Sequence, residues 1–164
     1  MSYIRANRRR RPSYTARMLK GIHPLLTPDL LRALAAMGHG DTIAIVDANF
    51  PASRVGRAVI AASGAGAPEV LDAVLTVLPL DTATTPCAFT MEVVGEPDAV
   101  PEPVADFAMV FTDHALGDCE IGRLTRHAFY DAASEAFAVV QTGEIRPYGN
   151  ILLVKGVVNR YARA

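Results

Sequence analysis

The chain has 164 residues, enough for one domain with a sizeable core and too few to make two comfortable. With 51% hydrophobic residues and a mean hydropathy of +0.21, it is not a whole-chain disordered protein. Its longest apolar run, Val70 to Leu80, is broken by Asp72 and Thr76, so no segment reaches bilayer length and the expectation is a soluble, cytoplasmic protein with no membrane role.

The net charge of −1 is unevenly spread. Residues 1–17, MSYIRANRRRRPSYTAR, carry six arginines and no acid, whereas the remainder has ten basic and seventeen acidic groups. The arm has no apolar h-region and is therefore no secretory signal. Without periodicity it reads as a basic, disordered extension with no nucleic-acid role, followed by a single domain over 18–164. Cys87 and Cys119 form no C-x-x-C pair and have no histidine at metal-ligand spacing. Two reduced, mostly buried thiols are expected, with no metal site and no disulfide framework.

Thr27-Pro28-Asp29 has the signs of a helix start: an N-cap hydroxyl, proline at the first helical position and an acid in the first turn. Leu30, Leu31, Leu34 and Met37 follow at helical spacing, and Gly38 is the expected stop. Thr42 to Val46 reads as a strand, and Ala58 to Ala61 as a second. Pro68-Glu69 opens a helix through about Leu78, with Val70, Leu71, Val74, Leu75 and Leu78 as its apolar stripe. Pro86 to Val94 is strand-like and runs into a loop rich in proline, glycine and acid. Helices are expected near 102–111 and 125–136. The chain closes with strands over Phe137 to Thr142 and Ile151 to Val154, joined by Gly143 to Asn150. This alternation predicts an α/β fold, a three-layer α/β/α sandwich around a mixed, mostly parallel sheet. The short link between the last two strands fits an antiparallel hairpin.

Four segments could carry chemistry. Asp47 stands at the carboxyl end of the first strand, where α/β sheets place ligands, though it could equally start the turn Ala48-Asn49-Phe50-Pro51. His39 lies between Gly38 and Gly40, which leave the backbone open to close approach. Histidine is the residue type best suited to proton transfer at neutral pH, and the competing reading is a surface turn histidine. Asp41 could orient that ring or cap the turn. Arg126 and Tyr130 share one helix face, suited to sugar hydroxyls or carboxylates, or simply to an amphipathic helix with a surface arginine. His127 points elsewhere. Arg146-Pro147-Tyr148-Gly149-Asn150 surrounds a glycine with aromatic and amide groups. No phosphate loop, nucleophile elbow or H-E-x-x-H segment is present.

Met37-Gly-His-Gly-Asp41, Asp47-Ala-Asn-Phe-Pro51, Arg126-His-Ala-Phe-Tyr130 and Tyr148-Gly-Asn-Ile-Leu-Leu153 occur in this order. Together they make the chain resemble the L-fucose mutarotase and D-ribose pyranase family, from Met18-Leu-Lys-Gly-Ile22 to Lys155-Gly156-Val157. Phe50 and the Ala-Phe-Tyr helix resemble the fucose branch. The resemblance implies an isomerase that interconverts the α and β anomers of a free monosaccharide, L-fucose first, by acid–base ring opening and closure, without cofactor or metal. It puts His39 at the catalytic proton donor, Asp47 and Arg126 at sugar-binding residues, and Tyr148, Gly149 and Asn150 in a C-terminal binding loop. Tyr130 and Phe50 would cover apolar sugar faces. It also implies a ring-shaped homo-oligomer, a decamer in the best-known cases. The alternatives are a pyranase or mutarotase for ribose or rhamnose, and a non-catalytic sugar-binding accessory protein of a transport system. A geometric demand accompanies the first reading. An extended strand rises ~3.3 Å per residue, so His39 and Asp47 meet on one sugar only if the turn folds back or two subunits share the site.

Overall fold

The structure is a computed structural model and describes residues 19–117 and 119–158; the arginine-rich arm lies outside the described residues. Among the described residues five helices and six strands alternate up to the last two strands, which follow each other directly. They are α1 (Pro28–Ala36), β1 (Thr42–Val46), α2 (Ala52–Val55), β2 (Val59–Ala62), α3 (Ala67–Leu75), β3 (Ala88–Met91), α4 (Glu102–Asp113), β4 (Ile121–Leu124), α5 (Arg126–Glu135), β5 (Ala138–Thr142) and β6 (Ile151–Val154).

The strands form one sheet in the order β2-β5-β1-β6-β3-β4. β1 and β2 each run parallel to β5, and β3 runs parallel to β4. β6 alone is reversed, antiparallel to both β1 and β3. The sheet is therefore mixed and mostly parallel, as expected. The last two strands do run in opposite directions, but they are not a hairpin. β1 lies between them, pairing Ile43 with Ala138 on one side and with Leu153 on the other. A central, fully buried strand satisfies the backbone groups of both neighbours better than a two-stranded ribbon could. β4 was not foreseen. It is an edge strand whose Ile121-Gly-Arg-Leu sequence has neither alternation nor an apolar run.

Each face of the sheet carries its own apolar cluster. Leu30 and Leu34 of α1, Val70, Leu71 and Val74 of α3, and Phe107 and Phe111 of α4 pack on Ile43, Ile45, Val140, Ile151 and Leu153. On the opposite face Phe50, Ala52 of α2, and Phe129 and Ala133 of α5 pack on Ala44, Val46, Val139 and Leu152. Successive residues of β1 point to opposite faces, which is why Ile43 and Ile45 belong to one cluster and Ala44 and Val46 to the other. Helices on both faces make the predicted three-layer sandwich.

Two local expectations are corrected. Cys87 and Cys119 form a disulfide, with Cα atoms 5.7 Å apart and both side chains buried. The parallel pairing of β3 with β4 brings their two flanks together, a proximity that a separation of 32 residues conceals. In the turn after α1, Gly40 rather than Gly38 adopts the left-handed conformation, at φ +83°, so the second glycine is needed by the turn itself.

Candidate functional site

β1 ends in two different environments. At its carboxyl end Asp47 is buried, 5% exposed, and caps its own turn by accepting a hydrogen bond from the Asn49 N–H at 2.9 Å. The turn-forming reading of Asp47 is thus true. The carboxylate also has a second partner. Its Oδ2 accepts from Asn150 Nδ2 at 2.8 Å, and the Asp47 N–H donates to Asn150 Oδ1 at 3.0 Å. This reciprocal pair fixes the amide orientation of Asn150 and ties the start of β6 to the end of β1.

Asn150 is presented by a tight connection. Tyr148 has φ +64°, a conformation that costs a non-glycine residue of order 1–3 kcal/mol and persists where its surroundings over-determine it. The Tyr148 carbonyl accepts from the Asn150 N–H at 2.8 Å, and its hydroxyl accepts from the Val94 N–H at 3.2 Å. Gly149 is buried between Glu144 and Asp47; a Cβ there would lie 2.6 Å from Glu144 Cγ and 3.6 Å from Asp47 Cβ.

Across this connection α5 begins with Thr125, whose Oγ1 accepts from the Ala128 N–H, so Arg126 occupies the first helical position and Tyr130 follows one turn later. Arg126 is exposed and takes part in no ion pair among the described residues. Asp47, Asn49, Phe50, Met91, Arg126, Tyr130, Pro147, Tyr148 and Asn150 together line a depression of about 240 Å³. Phe50 contributes less surface than its type suggested. It is 4% exposed and packs edge-on against Phe129 and Tyr130, with ring centroids 6.0 and 5.1 Å away, so it backs the Tyr130 ring. His127 is exposed and does not line the depression.

His39 lies at the opposite end of β1. The five residues of that strand alone put ~13 Å between the two ends, and the turn does not fold back: the Gly40 N–H donates to the Lys155 carbonyl and the Lys155 N–H donates to the Asp41 carbonyl. Asp41 caps this turn, accepting from the Gly38 N–H at 2.6 Å. The residue that holds the imidazole is one the sequence reasoning missed, Asp81, with Oδ2 3.2 Å from His39 Nε2. Asp81 follows the Leu80–Lys155 bridge, and its N–H donates to the Val154 carbonyl. The end of β6 therefore sets both members of the pair. A hydrogen bond from the Thr84 side chain, aided by His39 and the Ala83 N–H, outweighs burial and holds the Asp81 carboxyl below its ordinary value. Asp81 is therefore ionised at neutral pH and accepts from a protonated Nε2, leaving Nδ1 of the exposed ring as the nitrogen free for other chemistry.

Among the described residues no group of three His, Cys, Asp or Glu side chains is gathered as metal ligands, and no helix is long and apolar enough to cross a membrane.

Residues 20–158 match the model of the RbsD / FucU transport protein family. The chain is 44% identical over 146 residues to a fucose mutarotase of Bos taurus, covering 86% of this chain and 95% of that protein. It is 40% identical over 141 residues to an L-fucose mutarotase of Histophilus somni, covering 85% and 97%. Among solved structures, the fucose mutarotase of Streptococcus pneumoniae in complex with L-fucose superposes with a TM-score of 0.81 at 38% identity, covering 86% of this chain and all of that one.

Proposed function

The chain belongs to the RbsD / FucU family, and from that premise we propose that it is an L-fucose mutarotase, an isomerase that interconverts the α and β anomers of the free sugar. The single observation that carries the reading is the gathering of Asp47, Arg126, Tyr130, Tyr148 and Asn150 around one depression, with an exposed His39 held by an ionised Asp81 at the far end of the same strand.

Mutarotation needs little more than proton transfer. The anomeric hydroxyl loses its proton, the ring oxygen gains one, and the bond from C1 to the ring oxygen breaks to give an open-chain aldehyde. Rotation about C1–C2 followed by closure on the other carbonyl face gives the opposite anomer. In this reading Asp47 accepts hydrogen bonds from sugar hydroxyls, Arg126 and the amide of Asn150 donate to sugar oxygens, and Gly149 lets the binding loop that carries Tyr148 and Asn150 pack down on Glu144. Tyr148 walls the site. Tyr130 presents its face to the apolar side of the sugar, and its hydroxyl, without a protein partner among the described residues, is available to exchange the proton of the anomeric hydroxyl. His39 exchanges the other through Nδ1, giving it to the ring oxygen on opening and taking it back on closure, oriented by Asp81 as a carboxylate orients a general acid–base histidine.

Because His39 and the depression lie at opposite ends of β1, one monosaccharide cannot touch both in one chain. The site is therefore completed by a second copy that brings its own His39–Asp81 pair to the depression. We propose a closed ring, a decamer as the family resemblance implies, in which each copy gives its histidine to one neighbour and receives one from the other. The cytoplasm, where free sugars are metabolised, is its proposed location. Residues 1–17 are proposed to be a dispensable extension of a single domain, so a chain beginning at Met18 keeps both its activity and its assembly.

The test is saturation-transfer NMR of anomer exchange with L-fucose, D-ribose and L-rhamnose in parallel. Exchange is fastest with L-fucose and falls by ~10²–10⁴-fold in His39→Ala, with circular dichroism showing that the variant keeps its fold. Full exchange in His39→Ala removes the acid–base assignment, and exchange confined to another sugar replaces L-fucose as substrate.

A further inference from the structure

Among the described residues, Glu144 is the one buried carboxylate that neither proton transfer nor sugar contact uses. It is 5% exposed, and a carboxylate in such a place needs close partners. Its partner is two residues away. Arg146 donates to Glu144 Oε1 through its backbone N–H at 3.0 Å and through Nε at 2.9 Å, and to Oε2 through Nη2 at 2.8 Å. The remaining edge of the guanidinium turns to α4, where Nη1 donates to Glu102 Oε1 at 3.0 Å and to Asp106 Oδ2 at 2.9 Å. A backbone hydrogen bond from Ala67 at the start of α3 also reaches the Glu144 carboxylate, a favourable position for negative charge.

The rest of Glu144 bears on the sugar-binding face. Its carbonyl accepts from the N–H of Ala48, the residue after Asp47, at 2.8 Å. Its N–H donates to Thr142 Oγ1 at 3.2 Å, and that hydroxyl donates to the Val46 carbonyl at 2.8 Å. Its Cγ is the surface on which Gly149 rests. Through its backbone and its Cγ, Glu144 thus connects the turn after Asp47 and the Gly149 step between Tyr148 and Asn150 to α3, and through Arg146 to α4.

We infer that Glu144 and Arg146 form a positioning clamp for the sugar-binding face: they do not touch the sugar, and they fix the height of Gly149 and the reach of Tyr148 and Asn150 relative to Asp47. The inference rests on the mutarotase reading for the identity of the ligand, though not for the clamp itself. A bidentate fork suits this task, because it fixes distance and plane together, which a lysine ammonium does not. The clamp acts on binding and leaves the proton-transfer pair His39–Asp81 alone, so its loss separates two kinetic constants that general destabilisation would not separate.

The experiment compares the full-length wild type with Arg146→Met and Arg146→Lys, with circular dichroism to confirm that all three fold alike. L-fucose anomer exchange is followed as a function of sugar concentration, and amide hydrogen exchange at Tyr148–Asn150 is followed without sugar. Arg146→Met is expected to raise the half-saturating L-fucose concentration roughly tenfold while the saturating rate stays within about threefold. Arg146→Lys recovers part of that loss, and the loop amides exchange faster in Arg146→Met. An unchanged half-saturating concentration, or a fall in saturating rate alone, overturns the clamp. If the wild type exchanges no sugar, the mutarotase reading fails instead. The clamp is then judged by the amides, faster exchange in Arg146→Met supporting it and unchanged exchange overturning it.

Discussion

Replacing Gly149 by alanine adds one methyl group at the place where the loop over residues 143–150 meets the sheet. The new Cβ would stand 2.6 Å from Glu144 Cγ, 3.4 Å from the Arg146 carbonyl oxygen and 3.6 Å from Asp47 Cβ. Carbon atoms are comfortable at ~3.5–4.0 Å, so the closest contact must open by about 1 Å. Glu144 cannot swing aside, because Arg146 holds both of its oxygens. The displacement therefore falls on the loop that carries Tyr148 and Asn150. Gly149 does not have a left-handed φ, so the cost is steric, and overpacking of this kind typically costs ~1–3 kcal/mol. For a domain of this size that lowers Tm by about 2–4 °C per kcal/mol. A displacement of ~1 Å in a positioning group can cost as much as ~10²-fold, here in the half-saturating L-fucose concentration, so exchange at low sugar suffers more than stability does. Thermal melting with saturation-transfer NMR on L-fucose reads both quantities. If Gly149→Ala melts with the wild type and exchanges L-fucose at the wild-type rate, the close packing of the loop on Glu144 has no functional weight and the reasoning is refuted.

Three further outcomes follow from neighbouring contacts. Phe50→Ala removes a buried ring that supports Phe129 and Tyr130; chemical denaturation should show a loss of ~3–5 kcal/mol, with a raised half-saturating sugar concentration as Tyr130 loses its backing. Asn150→Asp sets a second carboxylate against Asp47 at the 2.8 Å contact. The stability loss, on the order of 3 kcal/mol, is largest near neutral pH and shrinks in acid, where one carboxyl takes a proton. Glu144 provides a pH signature of its own. Arg146, through its hydrogen bonds first, lowers the Glu144 carboxyl from 4.5 to about 2, so the unfolded chain binds the proton more readily. The stability it contributes is whole above pH 4.5 and is lost as pH falls toward 2. Solvent at the one-third exposed Arg146 limits the contribution to ~1–2 kcal/mol, and denaturation of Glu144→Gln should show a flatter pH dependence in that window.

Much of the fold follows from local signals. Thr42–Val46 and Ile151–Val154 fall where the β-rich runs predict, and Thr27 caps α1 as its position before proline implies. What local signals miss is pairing across the chain. β1 separates β5 from β6 because a third strand takes the place of a hairpin partner. The disulfide depends on the pairing of β3 with β4. The grouping of Arg126 with Tyr130 is a helical period and was legible. Asp81 was not: it is 42 residues from His39 and comes beside it only where the end of β6 joins the two. Glu144 and Arg146 look like ordinary loop charges until the burial of the carboxylate is known. Gly149 fits a generic turn equally well, and its reason is a side chain passing beneath it.

The shared site is the central claim, and variants complementing one another test it most directly. His39→Ala and Arg126→Ala each disable a different half, so each alone should show little L-fucose exchange. Co-expressed in equal amounts, they should assemble into mixed forms of the proposed ring, in which about a quarter of the sites combine an intact His39 from one copy with an intact Arg126 from its neighbour. Anomer exchange per chain at about a quarter of the wild-type rate is the predicted result. Mixed rings as inactive as the two parents would contradict the account, because they would mean that His39 and Arg126 act within one chain or that one of them does not act at all.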